Sequence, residues 1–363
     1  MRIIDADGHV VEPLDLWDRH APPRFRDAAP RIVIDEDGYA RYRLEGRLTP
    51  RLPFMKVAGE RPPFVPPAGG TDPVARLADL DREGISAAVL YPSTGLLLGG
   101  VEDPLAAVAL CRAYNDWLAA YCATAPARLL GVAAVPLQDP AAAAAEALRL
   151  GFRAVFVRPN PCAGRTLADP AYDRLWAVCA EAGVALAVHE GTTLHVPTAG
   201  VERFPDFFSQ HVVSHALEQQ LACVTLVTGG VLERHPRLRV VFLESGCGWV
   251  PAWLERLDAH FEKWGWMLPA LGTRPSELFR RQCWVSCDGD ERTLPATVAL
   301  LGADRLVWAS DYPHPDATFP GAPRALRERD DVAPEVRERI FGTNAAVLYG
   351  LERTACSGAR SRS

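Results

Sequence analysis

Asp169-Pro170-Ala171-Tyr172-Asp173-Arg174-Leu175-Trp176-Ala177-Val178-Cys179-Ala180-Glu181-Ala182-Gly183-Val184-Ala185-Leu186-Ala187-Val188-His189-Glu190-Gly191 contains one complete unit of the fold. The Asp-Pro pair starts a helix: the acid caps free N–H groups, and proline suits the first turn, where its missing N–H costs nothing. A helical pattern follows over residues 170–181, and Gly183 provides the stop. Residues 184–188 are then apolar without polar alternation, as a strand buried on both faces must be. The strand ends on His189-Glu190.

The same unit recurs along the chain. Strand-like runs fall at 3–4, 87–91, 129–135, 154–157, 185–188, 240–243, 284–286 and 306–308. Helical patterns fall at 73–83, 104–124, 140–150, 170–181, 212–232, 250–264, 291–301 and 334–348. Asp72-Pro73, Asp103-Pro104 and Asp139-Pro140 repeat the opening signal, and Gly84, Gly151 and Gly302 repeat the stop. Eight strands interleaved with eight helices predict an α/β fold, the (β/α)8 TIM barrel. A doubly wound sheet is the competitor, but no GxGxxG follows the first strand.

Residues 1–352 are read as a single barrel domain. The proline-rich stretch 15–71 is an insertion after strand 1, with a hairpin at 31–34 and 39–44 around Asp37-Gly38, covering the mouth or forming an interface. A long irregular loop after strand 5, residues 191–210, is long enough to act as a lid. The Ser/Gly/Arg-rich tail 353–363 is expected to be disordered.

Composition narrows the class. The chain has 363 residues, 48% hydrophobic and 23% charged, with a net charge of −6. That balance excludes a disordered chain, and it argues against a nucleic-acid binder, which needs a basic stripe. No apolar run approaches the ~20 residues that span a bilayer. The N-terminus lacks a signal-peptide pattern, and the 9 cysteines are scattered without a CxxC pair, so a reduced cytoplasmic protein is expected.

In such a barrel, chemistry sits at the C-terminal ends of the strands. Strand 1 leads into Asp5-Ala6-Asp7-Gly8-His9 with Glu12 close behind, and strand 5 into His189-Glu190. Strand 6 ends in Glu244-Ser245-Gly246, strand 7 in Asp288-Gly289-Asp290, and strand 8 in Asp311-Tyr312-Pro313-His314. Asp7 and His9 lie two apart, so an extended strand points both the same way. With His189 and Asp311 they form the N and O donor set of a divalent metal.

Asp7-x-His9, the strand-5 histidine, Gly229-Gly230-Val231-Leu232-Glu233-Arg234-His235-Pro236, Ala309-Ser310-Asp311-Tyr312-Pro313-His314 and Gly342-Thr343-Asn344 together resemble the amidohydrolase-related proteins. The resemblance is nearest to aminocarboxymuconate-semialdehyde decarboxylase and the resorcylate decarboxylases. It implies a metal held by Asp7, His9, His189 and Asp311. The chain departs from that pattern in two ways. Strand 1 carries Asp-x-His, and Glu244 stands after strand 6 where those decarboxylases carry a histidine that handles a proton.

Counting Asp7, Glu190, Glu244 and Asp311, four carboxylates crowd the mouth, a charge that two cations would neutralise. His215, four residues after His211 on the next helix, is a further candidate ligand, with a solvated or core-edge pair as the alternative. This set also resembles a divergent branch that includes a non-heme di-iron monooxygenase of diterpenoid biosynthesis. The lead expectation is therefore an O2-dependent monooxygenase with two irons, hydroxylating an apolar, possibly CoA-linked, substrate in secondary metabolism. In that reading the metals are held by Asp7, His9, His189, Glu190, Glu244, Asp311 and His215, with Glu244, Glu190 and Asp311 catalytic. The alternative is a mononuclear Zn or Mn hydrolase or decarboxylase, with Glu244 as acid/base. Arg158, at the end of strand 4, is placed to bind a substrate carboxylate. Trp249 is placed to line an apolar pocket, with helix–barrel packing as its other reading. A homo-oligomer is expected, with no nucleic-acid or membrane partner.

Overall fold

A computed structural model describes residues 1–52, 55–56, 64–191 and 196–351. Eight parallel strands carry the fold: β1 (Ile4–His9), β5 (Ala87–Tyr91), β6 (Leu129–Ala134), β7 (Ala154–Val157), β8 (Ala185–Val188), β9 (Val240–Phe242), β10 (Cys283–Cys287) and β11 (Leu306–Trp308). They hydrogen-bond in the order β1-β5-β6-β7-β8-β9-β10-β11. The circle closes just past β11, where Asp311 N donates to Asp7 O at 2.9 Å and His9 N to Tyr312 O at 2.6 Å. The result is a nearly closed (β/α)8 barrel, as the sequence predicts. Every residue of these strands is buried, which is why most of them read as apolar runs, β1 with its Asp5, Asp7 and His9 being the exception.

The Asp-Pro signals act as caps. Asp72, Asp103 and Asp139 accept from the backbone N–H groups of Val74, Leu105 and Ala141 at the starts of α2 (Pro73–Glu83), α3 (Pro104–Cys122) and α4 (Pro140–Arg149). Asp169 caps a short 3-10 turn that leads into α5 (Asp173–Ala182), which Gly183 stops at φ 69°.

The other boundaries show what pattern reading misses. The helix after β8, α6, runs Phe207–Thr228 and starts before residue 212 because Asp206 caps Ser209 N–H. Gly230 at φ 72° then separates it from α7 (Val231–Arg234). The helix α8 (Val250–Trp264) lies where expected, whereas α9 (Pro275–Gln282) and α11 (Ala322–Arg327) fall outside the eight expected helices. Between them α10 (Leu294–Leu301) begins three residues later than expected. The expected helix at 334–348 is α12 (Pro334–Glu338) and α13 (Asn344–Leu348) around a π turn, Arg339–Thr343. Within that turn Gly342 packs so closely that a Cβ would collide with the Arg2 carbonyl oxygen.

Between β1 and α2 lie α1 (Leu16–His20) and a small antiparallel sheet, β2 (Arg31–Ile34), β3 (Ala40–Leu44) and β4 (Arg47–Leu48). The hairpin sits where the sequence placed it. Of the expected lid, residues 192–195 lie outside the described residues, as does the tail. Among the described residues, no helix is long and apolar enough to cross a membrane.

Asp5 secures the barrel seam. Its carboxylate accepts from Ser310 N at 3.0 Å and Ser310 Oγ at 2.6 Å, joining β1 to the segment after β11. Burial pushes this carboxyl up to about 6, against the Ser310 hydrogen bonds and the Arg76 charge. The native state therefore holds the Asp5 proton more tightly than the unfolded chain, and that stabilisation fades as pH rises through 6. Relative to the wild type, Asp5→Asn should gain up to about 2–3 kcal/mol between pH 4 and pH 7 in urea unfolding. A pH-independent difference contradicts this assignment.

Candidate metal centre

Parallel strands bring their C-terminal ends to one face, and the candidates gather there. His9 Nε2 and His189 Nε2 stand 3.1 Å apart. Asp7 reaches both, with Oδ1 3.5 Å from His9 Nε2 and Oδ2 3.4 Å from His189 Nε2. Asp311 Oδ1 lies 3.2 Å from His9 Nε2, and Glu244 Oε2 lies 3.4 Å from His189 Nε2.

The far side of each ring fixes its chemistry. His9 Nδ1 faces Pro92 O at 2.8 Å, and His189 Nδ1 faces Glu190 O at 2.7 Å. A carbonyl oxygen only accepts, so both Nδ1 atoms carry hydrogen, and the neutral rings turn their Nε2 lone pairs toward each other. Two facing lone pairs need a cation between them. Metal–ligand bonds of about 2.1 Å place adjacent ligand atoms about 3.0–3.4 Å apart, which matches these separations. Asp7 Oδ1 is buried without a hydrogen-bond partner. The set Asp7, His9, His189 thus fits a divalent ion.

Without a cation, a proton takes its place. Burial pulls the His189 imidazole down, but the Asp7 and Glu244 carboxylates outweigh it and raise the ring to about 9. His9 goes the other way, to about 4, through burial and the charge of His314. Glu244 is pushed well up by burial and the Asp311 charge. Glu244 and Asp311 both adopt positive φ, 51° and 53°, a conformation disfavoured for any residue with a Cβ.

Three further residues complete this face: His314 and Glu12, which follow strand ends picked out in the sequence, and Ser93, which the sequence did not single out. His314 Nδ1 lies 2.8 Å from Asp311 Oδ1, and its Nε2 lies 2.8 Å from Ser93 Oγ. Ser93 Oγ donates its hydrogen to Val10 O. His314 Nε2 thus donates to Ser93 Oγ, and the Asp311 carboxylate beside Nδ1 raises the ring to about 9 despite burial. Glu12 holds the Ser93 loop by accepting from the N–H groups of Ser93, Thr94 and Gly95.

Other expected residues sit apart from the His9–His189 pair. Glu190 turns to Arg158 (Oε1 to Nη2, 2.6 Å), and Arg158 also donates to Asn160 Oδ1 and Gly191 O. The Arg158 charge is thus paired, leaving only Nη1 without a partner. Trp249 packs edge-on against Phe242 and donates to Ser245 Oγ. His215 does reach the mouth, with Nε2 3.3 Å from Glu244 Oε1.

Comparison with known proteins places this geometry. The amidohydrolase family model matches residues 4–351. The chain belongs to the amidohydrolase family. It is 30% identical over 307 residues to the gamma-resorcylate decarboxylase of Rhodococcus jostii, covering 77% of this chain and 87% of that one. It is 25% identical over 287 residues to the 2-amino-3-carboxymuconate-6-semialdehyde decarboxylase of Dictyostelium discoideum, 77% of each chain. An amidohydrolase structure from Mycobacterium avium subsp. paratuberculosis superposes with TM-score 0.80 at 25% identity, over 96% of this chain and 98% of that one. A dihydroxybenzoic acid decarboxylase from Polaromonas, with bound manganese, superposes with TM-score 0.67 at 20% identity, over 97% and 98%.

These relatives overturn the lead expectation. The similarity runs to decarboxylases, and neither an oxidoreductase, a pair of irons, CoA nor O2 finds support in it. The physical reason is that a carboxylate-rich mouth reports the need for a cation and is silent on whether that cation changes oxidation state. The charge was also overcounted, since Glu190 is neutralised by Arg158.

Metal binding must displace the His189 proton, so Mn(II) affinity should weaken by up to about tenfold per pH unit below 9. Calorimetric titration at pH 6, 7 and 8 measures this. A pH-independent affinity contradicts the proton–metal competition.

Proposed function

We propose that the chain is a metal-dependent decarboxylase of a small carboxylated aromatic compound, with one divalent ion, Mn or Zn, held by Asp7, His9, His189 and Asp311. The observation that carries this reading is the pairing of a His/Asp cradle with an adjacent histidine, His314, 2.8 Å from Asp311, in a chain similar to curated decarboxylases over three quarters of its length.

Decarboxylation breaks the bond between ring carbon and carboxyl, releases CO2 and leaves the electron pair on the carbon, which then takes a proton. A bound divalent ion orients substrate oxygens and withdraws their charge. The remaining work belongs to the chain. His314 holds the proton at Nδ1 beside Asp311, and Ser93, itself set by Glu12, fixes the ring's other side. The ring is partly open to the mouth, at 18% exposure, so it can regain a proton from solvent. Phe156 stands beside the cradle, its ring centroid 6.2 Å from that of His189, and Arg158 Nη1 is a buried donor without a partner. The reaction is redox-neutral and needs no oxidant.

Incubation of the Mn- or Zn-loaded protein with a panel of hydroxylated benzoates should release CO2. In His314→Gln, kcat should fall by about 10²-fold or more with metal content retained. No CO2 from any panel member with either metal overturns the decarboxylase reading. An unchanged kcat in the variant removes His314 as proton donor.

A further inference from the structure

Arg76 has no part in the cradle or in the proton transfer, yet it lies wholly buried behind them. It projects from α2, and its Nη1 donates to the backbone carbonyl of His9 at 2.9 Å. Its Cζ stands 4.5 Å from the centre of the Tyr312 ring, so the cation rests on that aromatic face. Its Nη2 lies against Gly8, where a Cβ would come within 2.6 Å of Nη2 and 2.8 Å of Asp5 Oδ2. The glycine admits the guanidinium at the point where β1 takes an extra residue, between its pairings Asp5–Ala88 and Gly8–Leu90.

We propose that Arg76 is a positioning residue of the metal centre, fixing His9 and Asp311 relative to each other across the barrel seam. Its two contacts fall on opposite sides of that seam. His9 belongs to β1, whereas Tyr312 follows Asp311 in the segment after β11. The same two residues are joined again by the 2.6 Å hydrogen bond from His9 N to Tyr312 O. With its ring held by Pro92 O, His9 is fixed at its N–H, its carbonyl and its Nδ1. Tyr312 is fixed at its far end, because its hydroxyl donates to Asp79, one turn along α2 from Arg76. This clamp sets the 3.2 Å separation between His9 Nε2 and Asp311 Oδ1, the spacing of two ligands on one ion.

The arrangement is unfavourable in itself, and that separates positioning from simple stability. Arg76 Nε and Nη2 have no hydrogen-bond partner, and burial pulls the guanidinium below its ordinary range against the neighbouring Tyr121, Asp5, Tyr312 and Asp79. An apolar side chain of similar length would fill the space without that penalty, an exchange that is often neutral or stabilising at buried ion clusters. It would leave the His9 carbonyl without this donor and the Tyr312 ring without its cation. Lysine would keep the charge, but a compact ammonium cannot lie flat on the ring and donate in plane to the carbonyl.

The inference rests on the His9–His189 cradle holding metal and is independent of decarboxylation, so its test reads metal and not turnover. Chelated wild type, Arg76→Met, Arg76→Lys and Asp5→Asn/Arg76→Met are titrated with Mn(II), free ion being counted by electron paramagnetic resonance. Each metal-free protein is also melted. Arg76→Met should fold and bind Mn(II) at least about tenfold more weakly, with a broadened signal from the bound ion. Arg76→Lys should recover part of that affinity. The double variant, which also removes the Asp5 charge, should melt no lower than Arg76→Met and still bind weakly. Wild-type affinity and signal in either folded Arg76→Met protein overturn the assignment. Unfolding of all three variants makes Arg76 a structural residue and overturns it too. A wild type that binds no Mn(II) refutes the cradle and this inference together. CO2 release is not read, so failure of the decarboxylase reading leaves the result standing.

Discussion

The arrangement on which the site depends is the confrontation of two neutral imidazoles, His9 and His189, whose Nε2 atoms stand 3.1 Å apart. Each ring is locked by a backbone carbonyl on its far side, so neither can turn its lone pair away. A pocket built this way is unfavourable when empty of charge. It is satisfied by a proton on His189 or by a metal ion, and Asp7 and Asp311 tilt the balance toward the ion.

The scaffold is arranged to hold that confrontation. β1 and β8 each deliver one imidazole, and the Asp5–Ser310 tie brings the segment after β11 against β1, which places Asp311 within reach of His9. Glu244 and Asp311 both leave their strands in left-handed backbone, a local cost that aims two carboxylates at the mouth. Glu12 then fixes the Ser93 loop, Ser93 fixes His314, and His314 charges the edge of the cradle.

Much of this was legible in the sequence because the barrel strands are buried on both faces and the helices open with Asp-Pro caps. β1 was less so: only its first two residues read as strand, since Asp5, Asp7 and His9 are polar yet wholly buried. The convergence of Asp7, His9, His189 and Asp311 on one face was legible from strand-end positions alone. Two features were not. His314 is held in place through Ser93, 221 residues away, and no spacing rule reports such a contact. Glu190, adjacent to a cradle histidine, looked like a ligand, but Arg158 claims its carboxylate, so counting acids overstated the charge and helped to suggest an oxygenase.

A divalent ion held by strand-end histidines and aspartates, beside a protonated histidine, suits a reaction that moves a proton and releases CO2 without electron transfer. X-ray absorption at the metal edge of the Zn-loaded protein tests the centre of this account most directly. The account predicts imidazole back-scattering from the zinc, reduced by about half in both His9→Ala and His189→Ala, with first-shell nitrogens and oxygens at about 2.0–2.2 Å. A zinc without imidazole neighbours, or a spectrum unchanged by either substitution, would contradict it.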